Sequence, residues 1–158
     1  GELMEKFSDY EIPHNLMTGK GVDLFDFIAS CIHEGFQNSG IMGKPLDCLG
    51  FTFSFPVNQI SIDCGILTKW GKGFTASGVV GQDIVKLLRE ACERKNLRIL
   101  HFILINDTTG TLLSGTFLNN ATNVGVINGT GTNACYFEEI EKVKRWKSSS
   151  HTKRVIIN

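Results

Sequence analysis

The sequence carries no net charge: Lys+Arg and Asp+Glu both number 16 in 158 residues. That balance argues against a nucleic-acid binder working through bulk charge, which needs an excess of cations against phosphates. No run reaches about 18 consecutive apolar residues, so no membrane-spanning helix is expected. No CxxC occurs among Cys31, Cys48, Cys64, Cys92 and Cys135, and an odd number does not suit a closed disulfide framework. Scattered cysteines in apolar surroundings read as buried free thiols, which fits a reducing compartment such as the cytoplasm. His14, His33, His101 and His151 show no metal-ligand spacing, so no metal site built from them is expected. His101, inside an apolar run, reads as a core histidine. No signal-peptide pattern opens the chain, and there is neither an internal repeat nor a low-complexity segment. Sequons at Asn106, Asn120 and Asn128 read as chance matches. Gly1 is not a start methionine, and Arg154 to Asn158 (RVIIN) reads as a strand stopped before its turn. A piece of a larger protein is therefore expected.

What is present suffices for one domain of ordinary size, on a prior of roughly 100–200 residues. Apolar residues make up 42% of the chain, enough for a core. Phe25, Ile28, Ile32 and Phe36 recur at helical spacing and predict a first helix over 22–38, stopped by Asn38-Ser39-Gly40. Cys48 to Phe53 is an apolar run between Pro45 and Pro56 and predicts a buried strand. Residues 57–81 are irregular and glycine-rich, with room for a hairpin. Gln82 to Asn96 predicts a second helix with Ile84, Leu87, Leu88, Ala91 and Cys92 on its apolar face. Arg98 to Ile105 predicts a strand buried on both faces, as in parallel sheets covered by helices. A short helix from Thr108 to about Phe117, a strand Asn123 to Ile127, the loop Asn128 to Thr132 and a strand Ala134 to Phe137 follow. Alternating strands and helices give an α/β fold. The basic stretch Lys142 to Lys147 reads as a solvated loop.

In open α/β sheets, ligands gather beyond the carboxyl ends of the strands. Three segments sit there. Ser54-Phe55-Pro56 offers a hydroxyl and backbone amides to a hydroxylated ligand, although alone it reads first as a strand-ending turn. Asn106-Asp107 closes the apolar run Phe102 to Ile105. Asp107 there suits an N-cap for the next helix, and equally a general base that accepts a hydroxyl proton. Gly129-Thr130-Gly131-Thr132-Asn133 is either a backbone nest for an anion or a tight turn between strands.

Taken in order, LGFTFSFP at 49–56, GILTKWGKGF at 65–74, INDTTGT at 105–111 and GTGTNACYFEE at 129–139 resemble the hexokinase family. The lead-in IPHNLMTGKGVDLFDFIASCI resembles it too, and the likeness runs from about residue 10 to 141. The resemblance implies a two-lobed, actin-like, ribonuclease-H-like sugar kinase fold. Residues 1–107 would be most of the small lobe without its N-terminal phosphate-loop strands, and 108–158 the hinge and the start of the large lobe. It implies transfer of the γ-phosphoryl of MgATP to the 6-hydroxyl of glucose or another hexose. Asp107 would be the general base. Ser54, the Phe55 backbone, Asn106 and Asn133 would contact the sugar. Lys72 would lie near sugar and phosphates, and Gly129, Thr130 and Gly131 would form a phosphate-binding turn. Association of the parent protein with the mitochondrial surface is left open.

The departures are specific. Gly71 stands where the family has threonine before the lysine, so one sugar hydrogen bond is expected to be missing. Asn128 stands where an aliphatic residue is usual, and KRWKSSSHTKR replaces a more acidic loop. The DxGGTxxR-type phosphate loop and the NxEWGxFG-type segment with its sugar-binding glutamate are not among these residues. A truncated, non-catalytic chain with weak sugar binding is therefore the alternative. A generic α/β phosphate-binding module fits less well, given the order and spacing of the motifs.

Overall fold

Apolar side chains repeat every three or four residues over 22–38 and over 82–96, and helices follow from that period. In the computed structural model, residues 6–144 and 153–158 are described. They divide into two units, Gly1–Phe51 with Phe55–Leu104, and Thr52–Ser54 with Ile105–Asn158. The α/β character expected from the sequence holds.

In the first unit a single turn, α1 (His14–Thr18), leads into α2 (Gly21–Asn38). The buried residues of α2 are Gly21, Leu24, Phe25 and Ala29. Of the predicted stripe, only Phe25 is in this set; Ile28, Ile32 and Phe36 are half-buried. The helix turns its Gly21–Phe25–Ala29 line inward, while Ile28 and Ile32 line a cavity of about 610 Å³ together with Phe7 and Tyr10. Strand β1 (Leu46–Thr52) is followed by β2 (Val57–Ser61) and β3 (Cys64–Leu67), an antiparallel hairpin within the segment read as irregular. Helix α3 (Ile84–Arg94) buries Ile84, Val85, Leu88, Ala91 and Cys92. Leu87 is only half-buried, and Val85 takes its place in the core. Asp83 caps α3: its Oδ1 accepts from the Val85 N–H at 3.0 Å and from the Gly65 N–H at 3.1 Å, tying helix to hairpin. At the far end Asn96 is left-handed (φ 56°), the Asn96 N–H donates to the Glu93 carbonyl, and the Leu97 N–H donates to that of Cys92. These two bonds satisfy carbonyls the helix leaves open.

Strand β4 (Ile99–Ile105) pairs with β1. The Leu46 N–H donates to Arg98 O and the Phe53 N–H to Ile105 O, the same spacing on both strands, so the pair is parallel. The expectation that β4 is buried on both faces is corrected. Phe102 and Leu104 are buried, whereas Leu100 is 56% exposed and His101 is exposed. Arg89 of α3 lies over the Phe102 ring at 4.5 Å, which marks the covered face. Period-two alternation then turns His101 to the opposite face, so it is not a core histidine.

In the second unit α4 (Asp107–Leu118) lies on a three-stranded antiparallel sheet, β5 (Val124–Asn128), β6 (Thr132–Glu139) and β7 (Arg154–Ile157), in the order β5-β6-β7. The strand expected at Arg154 to Asn158 is β7. Thr108 and Leu112 of α4 are buried, as are Gly125 and Cys135 on the sheet. A Cβ added at Gly125 would meet Leu112 Cβ at 2.9 Å, and Leu112 N and Thr108 O at 3.0 Å, so glycine there sets how closely strand and helix approach. The Cys135 thiol donates to Thr108 O at 3.2 Å. Lys142 ends a short 3-10 turn (Ile140–Lys142), with its ammonium 2.8 Å from the Glu139 carboxylate. The rest of the basic stretch, from residue 145, lies outside the described residues. All five cysteines are free thiols. The expectation that they are buried holds for Cys92 and Cys135 alone; Cys31 and Cys64 are half-buried, and Cys48 is exposed on β1.

Candidate functional site

The apolar run of β4 ends at Ile105, and the polar residues Asn106 and Asp107 take over. In the second unit the Phe53 N–H donates to Ile105 O at 3.1 Å. Ser54 and Asn106 each come one residue after that bonded pair, so a hydroxyl and an amide leave the sheet end together. Ser54 and Asn106 are half-buried.

The N-cap of α4 is Asn106, whose Oδ1 accepts from the Thr108 N–H at 2.9 Å. The sequence pointed to Asp107 for this role. Asp107 is instead the first helical residue, and its Oδ1 accepts from the same N–H at 2.8 Å and from Thr108 Oγ1 at 3.3 Å. Both residues thus answer the helix's open donors. A carboxylate in the first turn also gains from the helix dipole, by roughly 0.3–1 kcal/mol at the surface. Asn133, early in β6, donates through Nδ2 to Asn106 Oδ1 at 3.2 Å and to Asn158 Oδ1 at 2.8 Å. Its own Oδ1 accepts from the Ala134 N–H at 3.0 Å. Asn106, Asp107 and Asn133, three residues singled out in the sequence, therefore share one hydrogen-bonded cluster. Asn158 and Thr108 belong to it as well and were not singled out. Nothing in the local sequence marks Asn158, which is brought in by the β6–β7 pairing.

The loop Asn128 to Thr132 is the tight strand turn of the two readings offered. Asn128 pairs with Thr132, the Thr132 hydroxyl donates to Asn128 Oδ1 at 3.0 Å, and the Gly129 N–H donates to Gly131 O at 3.0 Å. A Cβ at Gly131 would meet nothing within 4 Å, and one at Gly129 only Gly131 O at 4.0 Å. Neither glycine has φ in the left-handed region. The fold thus does not demand glycine at either position, and the turn's backbone is open to approach. Thr130 lies exposed at its tip.

In the first unit Phe55, Trp70 and Phe74 form a ring cluster. Phe55 meets Trp70 edge-on at 4.9 Å and Phe74 at 5.2 Å, and Trp70 stacks with Phe74 at 5.4 Å. The Trp70 indole N–H donates to Ala76 O at 2.8 Å. The Lys72 ammonium sits 5.4 Å from the Phe55 ring centroid. Lys72 has φ 53° and Gly73 φ 81°, and the Phe74 N–H closes the turn onto Gly71 O at 3.0 Å. Two successive positive φ values fit a turn of the I′ kind, which suits glycine at 73 and strains lysine at 72 by about 1 kcal/mol. Lys72 and Phe55 are thus brought together in this unit.

Comparisons with known proteins agree along most of the chain. Two protein-family models, both described as Hexokinase, match residues 2–117 and 123–158. Hexokinase-3 of Homo sapiens is 47% identical over 135 residues, covering 85% of this chain and 14% of that protein. Hexokinase-4, chloroplastic, of Oryza sativa subsp. japonica is 46% identical over 145 residues, covering 89% of this chain and 28% of that protein. A solved hexokinase from Schistosoma mansoni complexed with glucose superposes with a TM-score of 0.87 at 38% identity, covering 94% of this chain and 33% of that one. The chain therefore spans well under half the length of the relatives it matches.

Proposed function

The chain belongs to the hexokinase family, and on that footing we propose that it supplies the sugar-holding and proton-accepting part of a hexose 6-phosphotransferase that uses MgATP. The observation that carries this reading is the Asn106–Asp107–Asn133 cluster at the start of α4. Amides and a carboxylate on a helix N-terminus suit a ligand rich in hydroxyl groups. Asp107 accepts the proton of the sugar's 6-hydroxyl as that oxygen attacks the γ-phosphorus. The bond to the bridging oxygen breaks, and ADP leaves with the electron pair. Phosphoryl transfer asks a protein mainly for positioning and charge stabilisation. Asn106, Asn133 and Ser54 orient the sugar. The open backbone of Gly129 and Gly131 and the Thr130 hydroxyl serve phosphate oxygens, and Lys72 adds positive charge. Mg²⁺ enters with ATP and neutralises its phosphates. Free thiols suit work in a reducing compartment, the cytoplasm.

The test is Asp107→Asn in a polypeptide that joins these residues to the rest of the enzyme. Asparagine can still accept from the Thr108 N–H but cannot take a proton. The expected kcat loss is about 10²–10⁴-fold, with the fold intact by circular dichroism. A variant with unaltered kcat would reduce Asp107 to a helix-end residue and remove the mechanism.

A further inference from the structure

We propose that Asn158 is a positioning residue of the hexose site. It holds the Asn133 amide in place, so that Asn133 faces the ligand as a hydrogen-bond acceptor beside the donor of Asn106. The inference rests on the hexose reading and goes beyond it, because it specifies the polarity of the site and adds a residue.

The polarity follows from two main-chain donors. The Thr108 N–H lies 2.9 Å from Asn106 Oδ1, and the Ala134 N–H lies 3.0 Å from Asn133 Oδ1. A backbone N–H only donates, so the atom opposite each must be an amide oxygen. With its oxygen so assigned, Asn133 turns Nδ2 toward Asn106 Oδ1 at 3.2 Å and Asn158 Oδ1 at 2.8 Å. An amide nitrogen carries two hydrogens, and both are now engaged. Asn106 Oδ1 has two lone pairs, taken by Thr108 and Asn133. What Asn106 has left is Nδ2, which has no partner among the described residues. What Asn133 has left is one lone pair on Oδ1.

A hydroxyl group is the ligand function that can accept from Asn106 and donate to Asn133 at once. A carbonyl, an ether or a fluorine can do only the first. The acceptor that holds Asn133 in this orientation from the far side is Asn158. The register supports its place: Ile157 pairs with Tyr136, so residue 158 falls opposite Cys135 and shares the sheet face of Asn133 as a diagonal neighbour. Without Asn158, one Asn133 hydrogen loses its acceptor, and the Asn133 amide is free to rotate away from Asn106 and to withdraw its acceptor oxygen from the ligand.

The test uses the ¹⁵N-labelled chain with two variants, Asn158→Ala, which removes the acceptor, and Asn158→Asp, which keeps one. Side-chain amide hydrogen exchange of Asn133, read by NMR without any sugar, should be slow in the wild type and in Asn158→Asp, and clearly faster in Asn158→Ala. Glucose titration should show about two- to tenfold weaker binding for Asn158→Ala, the loss of one hydrogen bond of ordinary net strength. Asn158→Asp should stay within about twofold of wild type, and both variants should keep the wild-type melting temperature. Fast exchange in the wild type overturns the proposal, as does equal glucose affinity in wild type and Asn158→Ala, or an Asn158→Asp no better than Asn158→Ala. The glucose titration is made in a polypeptide that joins these residues to the rest of the enzyme; slow exchange with no glucose binding there supports the lock and overturns the hexose reading instead.

Discussion

Replacing Gly71 by threonine should strengthen both the fold and the site, by separable amounts. Gly71 is exposed, a Cβ there meets nothing within 4 Å, and its φ lies outside the left-handed region. The left-handed positions of the turn are Lys72 and Gly73, while residue 71 contributes the carbonyl that accepts from the Phe74 N–H. Threonine can occupy such a site without strain. Narrowing the unfolded chain's freedom there contributes about 0.4–1 kcal/mol of stability. For a chain of this length that is a rise in melting temperature of about 1–4 °C. A threonine hydroxyl bonded to the sugar adds about 0.5–1.5 kcal/mol to binding, or roughly two- to tenfold in affinity. Trp70 is the neighbouring residue, stacked on Phe74 at 5.4 Å with its indole N–H bonded to Ala76 O, so its fluorescence reports directly on this turn. Melting without sugar reads the first effect, and glucose titration by tryptophan emission reads the second. A rise in melting temperature with no gain in affinity would show that residue 71 does not face the sugar. A fall in melting temperature would refute the backbone conformation from which both effects are worked.

Gly125→Ala should destabilise the chain by about 1–3 kcal/mol in urea denaturation, because the new methyl meets Leu112 and Thr108 at 2.9–3.0 Å and α4 must shift; wild-type stability would mean that the helix can lift off the sheet freely. The thiol of Cys92 is pushed up to about 11 by burial, from 9.0. Its neutral form is favoured by folding, so this contribution is full below pH about 9 and is lost as pH rises toward about 11. Urea midpoints from pH 8 to 11 should therefore fall more steeply for wild type than for Cys92→Ala, and parallel curves would refute the assignment.

The places where residue types alone were informative are those where a strand or helix stops. An apolar run ending on Asn-Asp must surrender its backbone groups to something, and both residue types serve at a helix start. That made the site residues visible, but it did not choose between Asn106 and Asp107 as the N-cap. The choice turns on one residue of backbone conformation, which both side chains tolerate. The run Ile99 to Ile105 likewise identified a strand without saying how many faces were covered, since apolar residues remain apolar when one face is open. His101 was misplaced for that reason, and the α2 stripe because its phase depends on where Ser77 and the Gly21 N–H meet, at 2.8 Å, far apart in sequence. The loop at 128–132 carried glycines and threonines suited to a nest or a hairpin, and the Asn128–Thr132 pairing decides for the hairpin. Least legible was the orientation of the amides. Asparagine presents a donor and an acceptor of nearly equal shape, and here the choice is made by two main-chain N–H groups on different elements, Thr108 on α4 and Ala134 on β6. A motif can therefore point to Asn106 and Asn133 as candidate ligand contacts. Which end of each amide is left open is a property of the fold around them, and the proposed selection of a hydroxyl rests on it.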